Sequence, residues 1–114
     1  MDQGTISAAA GNQHRHGHII AAWQLAQSSP HTLRAYSRHL AGYCGWLDAR
    51  GLDLLAVNRP ILDGYRHGLT GAPATVAARL AALSSFYRYA LSAELIAANP
   101  VELVKRPRLD PDHS

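Results

Sequence analysis

The sequence contains a single cysteine, and this scarcity excludes two classes of small protein. One thiol cannot form an internal disulfide, nor can it supply the several ligands of a cysteine-rich zinc site. Apolar runs are also short, and the longest, near Ile19 to Ala26, falls well below the roughly 20 residues that a membrane helix needs. A leader of the signal-peptide type, charged and then apolar, is not present at the N-terminus. We therefore expect a cytoplasmic protein that makes no use of the membrane.

Acidic residues are missing from two long stretches of the chain. Residues 30–47 contain two arginines and no Asp or Glu, and residues 64–93 contain three arginines and again no acid. All but one of the 11 basic residues are arginine, whose planar guanidinium suits phosphate groups and guanine edges. Coding bias would give the same excess, so composition alone leaves both explanations open.

Enzyme patterns are missing as well. The eight acids are scattered, and neither a Gly-rich phosphate loop nor a nucleophile elbow occurs. His14, His16 and His18 alternate near the N-terminus, but no Cys, Asp or Glu nearby completes a metal site. His39 is expected on a solvated helix face. We expect no catalytic residues, no metal site and no cofactor.

Helical periodicity is the strongest pattern that the sequence does contain. The apolar side chains of the segment that begins at Ala74 recur at spacings of three and four, which is the period of a helix with one buried face: Val76, Leu80, Leu83, Tyr87 and Leu91. Similar patterns predict helices over residues 18–27, 30–49 and 59–69, and a last helical turn after Asn99-Pro100. Because no alternating strand pattern competes, the sequence predicts an all-α fold: a compact bundle of four main helices plus a short C-terminal helical turn.

Local signals place the ends of these helices. Ser29 and Asn58 are favourable N-caps with a proline directly after or close by, and Gly51 suits the left-handed residue that ends a helix. Cys44 falls on an apolar stripe and is expected to be a small buried hydrophobe. The domain division that follows is a disordered N-terminal tail over 1–17, a helical domain over 18–104, and a basic linker with a disordered C-terminal tail over 105–114.

Two helix starts have the character of nucleic-acid contacts. The segments His31–Tyr36 and Ala74–Arg79 combine small, hydroxyl and arginine side chains at a helix N-terminus, where free amide groups favour phosphate. Either start alone is also typical of an ordinary capped and solvated first turn. Two of them in one acid-poor bundle favour DNA binding, and the alternative is a stand-alone helical protein-interaction module with an incidental basic face.

Two longer runs, residues 29–47 and 74–107, resemble the N-terminal core-binding (SAM-like) domain of tyrosine recombinases, the phage-type integrases. The resemblance rests on an ordered pattern of residues: Ser29, Thr32, Tyr36, Leu40 and Trp46, then Thr75, Arg79-Leu80, Leu83, Phe86-Tyr87 and Asn99-Pro100. It implies one arm of a C-shaped clamp around duplex DNA, with the second and fourth helices facing the major groove. It also implies a larger catalytic domain after this one, which cleaves and rejoins DNA.

The resemblance further implies which residues face DNA. By position they are Thr32, Arg34, Ala35, Arg38, Ala74, Thr75, Ala78 and Arg79, while Lys105, Arg106 and Arg108 match a linker that follows the backbone. Ala74 and Ala78 replace longer polar residues, which favours phosphate positioning over base readout. The tyrosines do not match the context of the family's nucleophile, so we expect this chain to bind DNA without cutting it. The implied partners are duplex DNA, the parent protein's catalytic domain and neighbouring protomers on DNA.

Overall fold

The computed structural model describes residues 11–103, and in this range it contains helices and no strand. The five α-helices are α1 (Asn12–Arg15), α2 (Gly17–Leu25), α3 (Pro30–Ala49), α4 (Arg59–Gly68) and α5 (Pro73–Ser92). Two short 3₁₀ helices, η1 (Leu54–Ala56) and η2 (Pro100–Leu103), lie between α3 and α4 and after α5. The predicted all-α bundle of four main helices with a short C-terminal turn is confirmed. Within residues 11–103, no helix combines the length and apolar character that crossing a membrane requires.

The two predicted N-caps hold the starts of α3 and α4. The Ser29 hydroxyl accepts a hydrogen bond from the Thr32 amide at 3.3 Å, and the Asn58 side-chain oxygen accepts one from the Ile61 amide at 3.1 Å. A proline lies in the first turn of each helix, where its missing N–H costs nothing. Local chemistry therefore explains why both helices begin where the sequence predicts.

The C-terminal ends of α3 and α5 have the same backbone geometry but different residues. Gly51, with φ 67°, follows α3, and the Leu52 amide donates back to the Leu47 carbonyl at 3.0 Å. Glu94, with φ 64°, follows α5, and the Leu95 amide donates to the Ala90 carbonyl at 3.0 Å. The left-handed region is natural for glycine and strained for glutamate. The sequence predicted the first ending but had no signal for the second.

The core is built where α3 and α5 pack together, covered by α2 on one side. Trp23 of α2 is buried, meets the Phe86 ring edge-on at 5.5 Å and donates from its indole N–H to the Ser85 hydroxyl at 3.1 Å. The buried residues of α5 make up the largest share of the core: Val76, Leu80, Ala82, Leu83, Ser84, Phe86, Tyr87 and Ala90. Leu91, predicted to be buried with them, is 38% exposed because the last turn of α5 projects beyond the core.

A chain of buried hydroxyl groups fixes α3 against α5. The hydroxyl oxygens of Tyr43 and Tyr87 lie 2.8 Å apart, and the Tyr87 hydroxyl donates to the Leu54 carbonyl at 2.8 Å. Burial raises the pKa of both phenols well above the ordinary value, so both remain neutral donors. Buried polar groups are tolerated when they are paired in this way.

Part of the predicted N-terminal tail belongs to the folded structure. Asn12 is fully buried, and its side chain donates to Asp48 Oδ1 at 2.7 Å and to the Leu52 carbonyl at 2.9 Å. Its side-chain oxygen accepts from the Leu54 amide at 2.7 Å. The prediction of disorder over residues 1–17 is therefore wrong for residues 11–17, while residues 1–10 lie outside the described range. Long-range hydrogen bonds, rather than apolar periodicity, hold this segment.

The last helical turn is anchored by Asn99, as its position before Pro100 predicts. The Asn99 side-chain oxygen accepts from the Val101 amide at 3.0 Å, and its amide group donates to the Ser84 carbonyl at 3.2 Å. Val101 is fully buried. These bonds fasten η2 against α5 and set the direction in which the chain leaves the bundle.

Candidate nucleic-acid interface

The four residues expected to face DNA on α3 do not form one row. Because successive helical residues turn by about 100°, Thr32 and Arg34 point about 160° apart. Arg34 and Arg38, one turn apart, line a groove against α2 beside the exposed side chain of Leu25. Thr32 and Ala35 lie toward the opposite edge of the helix. The predicted set therefore borders the exposed face of α3 on both sides.

His39 continues the row of Thr32 and Ala35, and its surroundings differ from those that the sequence suggested. It is half-buried rather than solvated. Burial lowers the pKa of its imidazole below the usual value, and the positive charges of Arg38 and Arg79 lower it further. Since Arg79 belongs to α5, His39 lies near the junction of the two helices. Its spacing, four residues after Ala35, was the signal that could have placed it there.

Arg79 has a structural contact in addition to its exposed part. Burial raises the pKa of the Tyr65 phenol, and a hydrogen bond from the Arg79 guanidinium opposes part of that rise. Tyr65 packs edge-on against Tyr43 at 4.8 Å and Trp46 at 5.3 Å. Arg79 therefore connects α5 to α4 while its charge also reaches His39. We name Arg38, His39 and Arg79 the α3–α5 basic cluster.

The first turns of α5 present a low, smooth surface beside this cluster. Ala74, Thr75 and Ala78 are exposed, and Arg79 is half-buried at the edge of the same surface. Ala74 and Ala78 lie one turn apart, as do Thr75 and Arg79, so they form two neighbouring rows. Methyl-sized side chains allow a large ligand to approach the helix backbone closely, while Thr75 and Arg79 can donate hydrogen bonds.

The carboxylates of the described residues lie away from this surface, and most are bound. Asp48 accepts from Asn12, Asp53 is paired with Arg15 and His16, and Asp63 is paired with Arg59 at 3.4 Å. Glu94 follows the far end of α5, about 30 Å from its start. Within residues 11–103, no ion pair joins a carboxylate to Arg34, Arg38 or Arg79. The basic surface is thus free of internal neutralisation by the residues that the structure describes.

Other predicted features fall outside this surface or outside the described range. Lys105, Arg106 and Arg108 lie beyond residue 103, so their expected place along DNA stays a prediction. Cys44 is buried as predicted, and burial together with the charge of Asp48 raises the pKa of its thiol to about 12. In the described part of the chain, no three His, Cys, Asp or Glu side chains come together as a metal site.

The sequence matches the family model of the phage integrase N-terminal SAM-like domain over residues 22–94. Tyrosine recombinase XerC of Myxococcus xanthus is 41% identical over 85 residues, which cover 72% of this chain and 28% of that protein. Tyrosine recombinase XerD of Pseudomonas aeruginosa is 39% identical over 94 residues, which cover 80% of this chain and 32% of that protein. Tyrosine recombinase XerC of Xanthomonas campestris pv. campestris is 34% identical over 88 residues, which cover 72% and 27%. No solved structure gives a significant match.

The extent of these matches defines what the chain contains. It spans less than a third of the length of each of these relatives, and the matching family model describes an N-terminal domain. These 114 residues are therefore not themselves catalytic, since the match contains no catalytic domain. The residues that carry the earlier resemblance, from Thr32 to Tyr87, lie inside the matched range. The chain belongs to the phage integrase N-terminal SAM-like domain family.

Proposed function

We propose that this chain is the DNA-binding arm of a site-specific tyrosine recombinase, and that the exposed faces of α3 and α5 contact duplex DNA at the recombination site. The observation that carries the proposal is the α3–α5 basic cluster. Arginines from two helices meet there on a surface without carboxylate partners among the described residues. Phosphate is the ligand that supplies the missing negative charge in the right geometry.

The side chains suggest how such an arm divides its work. Arg34, Arg38 and Arg79 hold phosphates, and the free amides at the start of α5 add to the attraction. Ala74 and Ala78 bring the backbone close to the groove but offer no hydrogen bond to a base edge. Thr75 alone of the exposed first-turn residues can donate to a phosphate or a base. The arm therefore positions DNA more than it reads its sequence.

The relatives extend the proposal to the parent protein. They are tyrosine recombinases, and this chain corresponds to less than a third of each. The arm would act with a catalytic domain that cleaves and rejoins DNA, in the cytoplasm, and with neighbouring protomers bound to the same site. Lys105, Arg106 and Arg108 would follow the DNA backbone between the two domains.

One observation favours the alternative of a protein-interaction module. Leu25 is 87% exposed beside the groove that Arg34 and Arg38 line, and a large exposed apolar side chain can mark a protein contact. The two functions differ in their response to salt. Phosphate binding weakens steeply as salt rises, because each neutralised phosphate releases a counterion.

Fluorescence anisotropy with a labelled duplex tests the proposal across a salt series. The wild-type chain should bind weakly, with log affinity falling linearly with log salt at about −0.9 per neutralised phosphate. Arg38→Ala should weaken binding roughly two- to fivefold, since exposed charge pairs each contribute up to about 1 kcal/mol, and should make the salt slope shallower by about 0.9. Arg88→Ala removes one exposed arginine from the other end of α5 and is the matched control.

The control separates a local contact from the effect of net charge. Arg88→Ala should change neither the affinity nor the slope beyond the small loss expected from overall charge. Equal losses in both variants would contradict the assignment of the α3–α5 surface. No binding of the wild-type chain at low salt, or binding that salt does not affect, would refute DNA binding as the function.

A further inference from the structure

His39 is placed where a bound phosphate would change its protonation. It is half-buried between Arg38, its neighbour on α3, and Arg79 of α5. The third packed helix, α4, contributes the Tyr65 phenol, which touches Arg79. In the described residues, Arg38 and Arg79 are the charged groups that act on His39, and no carboxylate offsets them. The imidazole is therefore held neutral by two positive neighbours and by partial burial.

We propose that His39 takes up a proton when the α3–α5 surface binds DNA, and that its imidazolium then becomes a third cationic contact to the phosphate backbone. This inference rests on the proposed function, because it needs phosphates at Arg38 and Arg79. A phosphate between these groups reverses the local field. It neutralises the two guanidinium charges that repel a proton, and its own charge attracts one.

The linkage fixes the sign of the pH dependence. In the free chain the pKa of His39 is lowered, so the imidazole is neutral at pH 7. In the complex a neighbouring phosphate raises that pKa. The bound state then holds more protons than the free state over the interval between the two pKa values, so affinity must rise as pH falls through this interval. The change approaches about tenfold per pH unit at full uptake of one proton.

Two measurements test the inference at constant ionic strength. The first follows the ring proton of His39 by NMR against pH, in the free chain and with a short duplex added. We expect the apparent pKa of His39 to move up on binding. The second measures affinity for the same duplex by anisotropy from about pH 5.5 to 8.5. Wild-type affinity should rise as pH falls, and His39→Gln should lose most of that rise while still binding.

His31→Gln is the matched control, because His31 is exposed on the first turn of the same helix and is absent from the groups that act on the cluster. It should keep the pH dependence of the wild type. An unchanged His39 pKa in the complex would overturn the inference and leave DNA binding intact, as would a His39→Gln variant with the full pH dependence. A wild-type chain that binds no duplex at low salt at any of these pH values would overturn the proposed function itself.

Discussion

The two halves of α3 use charge in opposite ways. At its C-terminal end, Asp48 is bound by Asn12, and the nearby Asp53 is bound by Arg15 and His16. In its N-terminal half, Arg34 and Arg38 have no carboxylate partner among residues 11–103. One helix thus carries a neutralised end that holds the N-terminal segment and a basic half that is available to a ligand. Charge that is paired inside the fold supports structure, and charge left unpaired points to function.

The largest effect on this comparison is expected from Asn12→Ala. The change removes the acceptor of the buried Leu54 amide and the donor to the Leu52 carbonyl. An orphaned buried amide is costly, so we expect a loss of about 2–3 kcal/mol in the free energy of unfolding, measured with urea. Gln13→Ala, one residue along on the exposed side, should be neutral. A loss below about 0.5 kcal/mol in Asn12→Ala would mean that the N-terminal segment is not part of the folded unit.

A smaller loss is expected from Gly11→Ala. A methyl group at residue 11 would collide with the Asp48 carboxylate, which is already bound to the amide and side chain of Asn12. The carboxylate must move and weaken those bonds, which should cost about 1–2 kcal/mol. Gly17→Ala is the control, because its methyl group meets nothing within 4 Å and alanine favours the helix. Thermal unfolding of the two variants should therefore shift in opposite directions.

Acid should weaken the paired end by less. Burial would raise the pKa of Asp53, but hydrogen bonds from His16 and the Leu55 amide, with the charges of His16 and Arg15, lower it below the usual value. A lowered carboxyl pKa gives stability that is present above the unfolded pKa, about 3.9, and is lost as pH falls through the folded value.

Asp53→Asn tests that contribution, because asparagine can still cap η1 through the Leu55 amide. The side chain is 39% exposed, so solvent screening should keep the loss at pH 7 below about 1 kcal/mol. The difference between variant and wild type should vanish near pH 2–3, as judged from urea unfolding at several pH values. A difference that stays constant with pH would assign the effect to packing instead.

The smallest effect on stability is expected from Arg34→Ala. An exposed arginine without a carboxylate partner in the described range contributes little to folding, so the free energy of unfolding should change by less than about 0.5 kcal/mol. Arg79→Ala gives the contrast, because it removes the hydrogen bond to Tyr65 and should destabilise the domain measurably. If Arg34→Ala destabilised the chain as much as Asn12→Ala, the basic half of α3 would be structural and the comparison would fail.

The sequence was sufficient for those parts of the fold that local chemistry decides. Ser29, Asn58 and Gly51 mark helix ends because their caps and backbone angles involve residues within a few positions. The segment at Asn12 could not be predicted, because its partners lie 36 to 42 residues away and no apolar period marks them. The left-handed Glu94 was equally hidden, since glutamate is not a residue that such a position favours.

The candidate site was predictable in its residue types and less so in its geometry. Arginines and small residues at two helix starts could be recognised from their positions on each helix. How the helices pack could not, and packing decides that Arg79 touches Tyr65 and that His39 lies beside two guanidinium groups. Helix periodicity orders side chains around one axis, whereas a binding surface depends on how two axes meet.

The buried cysteine gives the domain an internal reporter of its own opening. Cys44 is fully buried on α3, and with a thiol pKa of about 12 it carries almost no thiolate at neutral pH. Because it is the one thiol of the chain, an aromatic disulfide reagent can label the native protein only after α3 has separated from its neighbours. The labelling rate therefore measures how often the core opens, in the unmodified sequence, with DNA present or absent. A ligand that bridges α3 and α5 should slow that rate in proportion to its occupancy.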